Sequence, residues 1–196
     1  MTTSAPGRRE RKKAATRQAI ADAALDLFLE HGYDEVSIRA IADAADVSTT
    51  TVFKHFSGKE ALVFDQDSDR EAALVAAVRD RPAGQGIPDA LRAHVLSSWL
   101  PLSADPRYAE FTALTEATPA LRAYADRMWT RHTDTLAATI AAETGAAHDD
   151  PACLALARFA LEIPSLTRGR PDPAAAITAM FDLLTHGWDA AHGDSR

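Results

Sequence analysis

The chain has 196 residues, 46% of them hydrophobic and 25% charged, which is the composition of an ordinary globular protein with one large or two small domains. No apolar run approaches the roughly 18 residues that a membrane span needs, and the first residues lack the apolar core of a secretory signal. The single cysteine, Cys153, excludes an internal disulfide framework. These features predict a cytoplasmic protein with no membrane partner.

The charge of the chain is unevenly distributed. A net charge of −7 argues against nucleic-acid binding when it is averaged over the chain, but residues 8–17 carry six basic side chains and only one acid. All four lysines lie within the first 60 residues, and the excess of acid lies after them. A basic end on an acidic body confines phosphate contacts to that end. We therefore expect a flexible basic arm over residues 1–10, with a merely solubilising tail as the alternative.

The sequence pattern favours helices throughout. Alternating strand patterns are missing while Ala, Leu, Glu and Arg dominate, which predicts an all-α fold of about nine helices. A first helix is predicted from about Arg11 to His31, because apolar residues recur there at helical spacing and Gly32 follows as a stop. Ser37 and Ser48 are each predicted to cap a short helix.

The later part of the chain is punctuated by prolines. Residues 82–86 form the clearest loop. Beyond it, a capping side chain directly precedes a proline in four places, which is typical of helix starts because proline fits the first helical position. The four pairs are Asp105-Pro106, Thr118-Pro119, Asp150-Pro151 and Asp172-Pro173. With Pro88 added, helices are predicted to begin near residues 88, 106, 119, 151 and 173.

The two short helices, residues 37–45 and 48–55, are joined by a tight turn and predict a helix-turn-helix. Val52, Phe53 and Phe56 are expected to point inward. The other side chains of the second short helix offer hydroxyls and longer donors, which suit phosphate oxygens and base edges. Lys59 is expected in the first turn of the next helix, where backbone amides also favour an anion.

Ordered runs of residues between 11 and 62 carry a family resemblance. They are Ala24-x-x-Leu27-Phe28-x-x-x-Gly32-Tyr33, Ser37-Ile38-x-x-Ile41-Ala42-x-x-Ala45-x-Val47-Ser48, Thr51-Val52-Phe53-x-His55-Phe56 and Lys59-Glu60-Ala61-Leu62. The chain resembles the TetR family of repressors over this segment. The resemblance implies a homodimeric, sequence-specific transcriptional regulator whose second short helix enters the major groove of double-stranded operator DNA. It further implies a repressor that a small, partly apolar effector releases from the operator.

Two positions depart from the family pattern. Asp46 stands in the turn where the family usually has glycine, and aspartate tolerates a left-handed backbone better than most residues. Phe53 stands where the family usually has a tyrosine that contacts phosphate, so we expect it to pack. By resemblance, the residues expected to face DNA are Ser37, Arg39, Ser48, Thr49, Thr50, Thr51, Phe53, Lys54, His55 and Lys59. The alternative is an unrelated helical corner with a solvated polar face.

We expect a DNA-binding domain over residues 11–58 and an effector-binding and dimerisation domain over residues 59–196. In the helix from Pro119, an apolar stripe that includes His132 predicts either core or a pocket wall, and a satisfied buried imidazole is the alternative for that histidine. The family holds effectors inside this bundle. The candidate effector-binding residues are Trp99, Phe111, Met128, His132, Phe159 and Glu162.

The last two predicted helices carry apolar residues that suit pairing of two subunits in a four-helix bundle. The candidate interface residues are Leu154, Leu161, Phe181, Leu184 and Trp188. Ser57 and Glu60 have the spacing of a capping box, which predicts one helix from Ser57 to about Asp80. Such a helix would span roughly 35 Å and act as a lever between effector and DNA.

The sequence argues against an enzyme, a metal site and a cofactor. No two histidines lie four apart, and neither a Gly-rich phosphate loop nor a serine elbow is present. Two other interpretations stay open. Cys153 is predicted in the first turn of its helix, which would favour a redox-sensing thiol if the side chain were exposed. A helical interaction protein could also use the helix-turn-helix without DNA.

Overall fold

The computed structural model describes residues 7–192 and contains ten α-helices and no strand within that range. The predicted all-α class is confirmed. Across the same residues, no helix combines the length and the apolar character needed to cross a bilayer. The helices are α1 Arg8–His31, α2 Ile38–Ala44, α3 Thr49–His55, α4 Glu60–Val63, α5 Asp67–Arg79, α6 Ile87–Ser103, α7 Pro106–Ala117, α8 Pro119–Thr144, α9 Pro151–Leu166 and α10 Pro173–His192.

The described residues divide into two compact units. The first unit contains residues 7–67 and 110–124, and the second contains residues 68–109 and 125–192. Helices α7 and α8 each contribute residues to both units. The first unit therefore includes α4 and parts of α7 and α8 in addition to the helix-turn-helix.

α1 begins earlier than the sequence predicts. Its first residue is Arg8, preceded by Gly7 in extended conformation, so residues 8–10 belong to a helix and not to a flexible arm. The rest of the predicted arm, residues 1–6, lies outside the described residues. The basic side chains from Arg8 to Lys13 are exposed. Their positive charges therefore lie on the solvent-exposed surface of a helix.

The core of the first unit forms on one face of α1. Ile20, Ala24 and Phe28 recur every fourth residue and are fully buried. They belong to one apolar cluster with Ile41 of α2 and Val52 of α3. Burial of each large side chain contributes roughly 1.5–3 kcal/mol, so this cluster fixes the two short helices against α1.

The prediction of a single helix from Ser57 to Asp80 is wrong. The chain forms α4 and α5 instead, and Phe64 between them has φ −106° and ψ 45°. Its ring stacks on Tyr124 at a centroid distance of 5.1 Å and meets Phe111 edge-on at 5.9 Å. These contacts hold Phe64 within the first unit and account for the turn.

The capping box also does not form. Lys59, rather than Ser57, occupies the N-cap of α4 and makes no side-chain cap bond. The continuous lever that the capping box predicted is therefore absent from this part of the chain.

The helix starts in the later part of the chain are confirmed to within one residue. Asp150 Oδ1 accepts hydrogen bonds from the N–H groups of Ala152 at 2.8 Å and Cys153 at 3.0 Å. Asp172 Oδ1 accepts one from Ala175 at 2.9 Å. Each aspartate satisfies donors that have no partner inside the helix, which fixes where α9 and α10 begin.

The core of the second unit is built from α5, α6, α8, α9 and α10. The stripe predicted on α8 is buried and forms core, with Leu136 and Ile140 fully inaccessible. α10 packs against both α6 and α9, and its Ile177 and Phe181 are completely buried.

Candidate nucleic-acid interface

The first unit contains the predicted helix-turn-helix. α2 and α3 have seven residues each, and each begins at a serine whose Oγ accepts a backbone N–H. Ser37 accepts from Ala40 and Ser48 from Thr51, both at 3.1 Å. Both predicted caps are confirmed.

The turn between these helices works without glycine. Asp46 has a φ of 51° and is the only non-glycine residue with positive φ among those described. The N–H of Val47 donates to the carbonyl oxygen of Ala42 at 2.9 Å, which closes the turn. A left-handed backbone costs most residues roughly 1–2 kcal/mol, and the short polar side chain of aspartate tolerates it better than most.

α3 has a buried face and an outward face. Val52 and Phe56 lie in the core, whereas Thr49, Thr50 and Lys54 are exposed. Phe53 is 60% exposed, so the prediction that it points inward is wrong. Val52 and Phe56, four residues apart, occupy the inward side of this short helix, and Phe53 falls on the other side.

Some hydroxyls in the predicted DNA-facing set are engaged within the helix-turn-helix. Ser48 Oγ and Thr51 Oγ1 are 2.8 Å apart and share a hydrogen bond, in addition to the cap bond that Ser48 makes. Ser37 is likewise occupied by its cap bond. These residues shape the helix ends, while Thr49, Thr50 and Lys54 extend outward.

Arg17 of α1 holds the end of α3, a role that the sequence did not predict. Its guanidinium donates to the carbonyl oxygen of His55 and, at 2.9 Å, to that of Asp65. It also lies 4.2 Å from the ring centroid of Phe56. Because 38 positions separate Arg17 from His55, no local sequence signal could have revealed the contact.

His55 is half-buried at the last position of α3. Its Nδ1 is buried and has no hydrogen-bond partner among the described residues. Burial, followed by the positive charges of Lys13 and Arg17, lowers the pKa of the imidazole below its ordinary value. The ring is therefore neutral at pH 7.

Lys59 points its ammonium into the protein. Nζ donates to the carbonyl oxygens of Tyr33 and, at 3.5 Å, of Asp34, and lies 4.2 Å from the ring centroid of Tyr33. Burial lowers the pKa of this lysine. These contacts give Lys59 a structural role between the turn that follows α1 and the start of α4. Its predicted DNA contact stays a prediction.

Arg39 lies on the exposed side of α2. Its side chain is 86% exposed, and Nε is 3.9 Å from Oδ2 of Asp43 one turn later. An exposed pair at this distance contributes at most about 1 kcal/mol. The guanidinium is therefore only weakly held.

Residues 20–65 match the model of the family described as bacterial regulatory proteins, tetR family. The matched segment contains the whole helix-turn-helix and the buried face of α1 that supports it. Over this segment the chain is similar to TetR-family regulators.

Named relatives of this chain are transcriptional regulators. TcmR of Streptomyces glaucescens is 39% identical over 84 residues, which are 43% of this chain and 37% of TcmR. MftR of Mycobacterium tuberculosis, named for regulation of mycofactocin biosynthesis, is 26% identical over 186 residues, 91% of this chain and 94% of MftR. The chain thus spans little more than a third of TcmR and nearly all of MftR.

The fold of this chain also resembles solved structures. SmeT, the repressor of a multidrug efflux pump of Stenotrophomonas maltophilia, has been solved in complex with triclosan. It is 20% identical, with a TM-score of 0.60 over 88% of this chain and 91% of SmeT. At this identity the likeness shows the fold alone.

The predicted effector residues are not brought together. Trp99 is in the core of the second unit, where Nε1 donates to Thr167 Oγ1 at 3.1 Å and the ring meets Tyr108 edge-on. Met128 and His132 are also buried in this unit. His132 Nε2 lies 3.9 Å from a carboxylate oxygen of Glu71, so this imidazole faces an acid.

The other three predicted effector residues lie elsewhere. Phe111 belongs to the first unit. Phe159 is 55% exposed, and Glu162 pairs with Arg158 at 2.8 Å on the surface of α9. Phe159 and Glu162 do not point into the bundle as expected, because the inward face of α9 is occupied by Leu156, Ala160 and Ile163.

The predicted dimer set needs a similar correction. Phe181 is completely buried within the chain and is not available to contact a second copy. Leu161, Leu184 and Trp188 pack partly against the same core, whereas Leu154 is exposed. The remaining large apolar side chains that face outward on α9 and α10 are Phe159, Leu166 and Leu183.

Cys153 is only 1% exposed and lies in the core of the second unit. Burial is the main reason that the pKa of its thiol is raised, and the charge of Asp150 adds to it. Since the thiolate is the reactive form, this environment argues against a redox-sensing role.

Proposed function

We propose that this protein is a TetR-family regulator, which controls transcription by placing α3 in the major groove of an operator. The observation that carries the proposal is the outward face of α3. Thr49, Thr50 and Lys54 are exposed on a helix whose opposite side is anchored by Val52 in the core. Hydroxyls and an ammonium on a fixed helix bond to base edges and phosphate oxygens.

Positive charge beside α3 supports the proposal. Arg39 is held only by a weak pair with Asp43, so a DNA phosphate can replace the carboxylate as its partner. The exposed basic residues at the start of α1, from Arg8 to Lys13, add further phosphate partners. Phosphate contacts position the reading helix without selecting sequence.

We also propose a homodimer formed through α9 and α10. These helices pack side by side, and Leu154, Phe159, Leu166 and Leu183 on them are between 48% and 75% exposed. Single exposed apolar residues are ordinary, but four on two adjacent helices favour a covered surface. Two copies would form a four-helix bundle. Two half-sites of an operator require two α3 helices about 34–36 Å apart, or a multiple of that.

The second unit is proposed to bind a small, partly apolar effector that releases the operator. The complex of SmeT with triclosan supports this proposal by likeness of fold. Trp99, Met128 and His132 remain the candidate residues. Coupling between two sites is reciprocal, so operator DNA should weaken effector binding by the factor by which effector weakens DNA binding. A regulator of this kind acts on the genome, so we infer a cytoplasmic location.

Selection from a random library of 30-base-pair duplexes tests the function. Full-length protein is expected to enrich one sequence with two similar half-sites, and mobility shift should then show tighter binding to it than to a scrambled duplex. Failure to enrich any sequence would contradict the proposal and favour an interaction protein. If a Lys54→Ala variant enriched the same sequence and bound it with unchanged affinity, the proposal that α3 lies in the groove would be contradicted.

A further inference from the structure

The exposed position of Phe53 has no explanation within the first unit. Its ring is 60% accessible, while the adjacent Val52 and the nearby Phe56 are buried. It lies one turn after Thr49 and directly before Lys54, on the outward side of α3. A large apolar side chain in this position gains little from folding, since most of its surface stays in water.

Phe53 also cannot serve DNA binding as a hydrogen-bonding residue would. A tyrosine at this position would donate its hydroxyl to a phosphate, whereas the phenylalanine ring has neither a donor nor an acceptor. Placed against a polar base edge, the ring would remove water from that edge and leave it unpaired, which costs free energy. Phe53 therefore requires an apolar partner in the groove.

The major groove offers one such partner on its base edges. Adenine, guanine and cytosine present nitrogen and oxygen donors or acceptors there, whereas thymine adds a C5-methyl group. We propose that Phe53 is a specificity-determining residue that recognises the C5-methyl of a thymine in each half-site. This inference rests on the proposed function, because it requires α3 to lie in the major groove.

The experiment removes the methyl group and leaves the rest of the base unchanged. In the duplex selected from the random library, each thymine is replaced singly by deoxyuracil, and the affinity of full-length protein is measured by fluorescence anisotropy. At one thymine per half-site, wild-type protein should lose about fourfold in affinity, which corresponds to burial of one methyl group. Substitution in both half-sites should cost about fifteenfold, since the two contacts add.

Variants of Phe53 assign the effect to this residue. Phe53→Ala should bind the thymine and uracil duplexes equally, whereas Phe53→Leu should keep part of the preference. The position is exposed, so both variants should retain the wild-type melting temperature. A cytosine and a 5-methylcytosine duplex at the same position should differ by the same factor for wild-type protein and not for Phe53→Ala.

Two results would overturn the inference while the DNA-binding proposal stands. One is a wild-type affinity that no thymine-to-uracil change alters, as expected if the ring lies on the sugar-phosphate backbone. The other is a uracil effect that persists undiminished in Phe53→Ala. Failure of the library to enrich any sequence would overturn the proposed function itself, and this inference with it.

Discussion

The guanidinium of Arg17 donates to the carbonyl oxygen of His55, the last residue of α3. The final carbonyls of a helix have no partner within it and attract positive charge. The same guanidinium donates to the carbonyl oxygen of Asp65. One side chain of α1 therefore fixes the end of α3 relative to the segment that follows α4.

Replacing Arg17 should affect stability and DNA binding together. Arg17→Ala is expected to lower the free energy of unfolding by roughly 1.5–3 kcal/mol, because it removes charge-assisted bonds to two carbonyls, and to weaken operator binding as α3 loses its anchor. Arg17→Lys should be intermediate, since an ammonium lacks the two-armed geometry. Urea unfolding and operator titration measure the two effects. Arg9→Ala, at an exposed position on the same helix, is the control for stability alone, because Arg9 is itself a proposed phosphate partner. Equal stability of the Arg9 and Arg17 variants would contradict the assignment.

His55 predicts a pH dependence of stability. The pKa of its imidazole is lowered in the folded state, first by burial and then by Lys13 and Arg17. As the pH falls, His55 of the unfolded chain is protonated near the ordinary histidine pKa of 6.5. In the folded chain, the same imidazole is protonated only at a lower pH. The contribution of His55 to the free energy of unfolding is therefore fully present above pH 6.5. It is lost as the pH falls below 6.5 toward the lowered pKa of the folded state.

The measurement is the melting temperature between pH 7.5 and pH 5. Wild-type protein should lose stability more steeply over this range than His55→Gln, which cannot titrate. Parallel curves for wild-type protein and His55→Gln would show that burial of His55 does not govern its protonation.

Substitutions of Lys59 and Lys54 should have different effects, one on the stability of the fold and the other on DNA binding. Lys59→Met removes the bonds to the carbonyl oxygens of Tyr33 and Asp34 and should lower the free energy of unfolding by roughly 1–3 kcal/mol, with an unchanged salt slope of DNA binding. Lys54→Met, at an exposed position, should leave stability unchanged and reduce the log–log salt slope by about 0.9 for each phosphate that the lysine neutralises. If Lys59→Met reduced the salt slope and not stability, its ammonium would bind DNA.

Two neighbouring residues of α10 test the proposed dimer. Leu183 is 75% exposed and Phe181 is fully buried, so Leu183→Glu should yield folded monomers in sedimentation velocity. Phe181→Ala should instead lower stability by roughly 3–5 kcal/mol through a cavity in the core. A Leu183→Glu protein that stays dimeric would place the subunit interface on other helices.

Features that depend on residues within about four positions could be predicted from the sequence. The serine caps of α2 and α3, the aspartate caps of α9 and α10, and the left-handed Asp46 are all of this kind. A cap satisfies backbone donors two or three residues away, so its signal is contained in the local sequence. The helix-turn-helix itself follows from these local features.

Features that depend on tertiary packing could not be predicted in this way. Helical spacing allows Phe56 to share a face with either Val52 or Phe53, and only packing against α1 shows that Val52 is the inward one. Similarly, the apolar pattern of α10 does not show which of its faces packs against the rest of the chain, so it does not reveal that Phe181 is part of the core. The stacking of Phe64 on Tyr124 likewise interrupts a helix that local propensity favours.

The most direct test of sequence reading by α3 is an equilibrium titration of the selected duplex with wild-type protein and with Thr50→Ala. Thr50 is exposed on α3, so its removal should leave the melting temperature unchanged. We predict that Thr50→Ala weakens binding to the selected duplex by roughly 1–3 kcal/mol and leaves binding to a scrambled duplex unaltered. Equal binding of the wild-type protein to both duplexes, or equal losses on both for Thr50→Ala, would contradict sequence reading by α3.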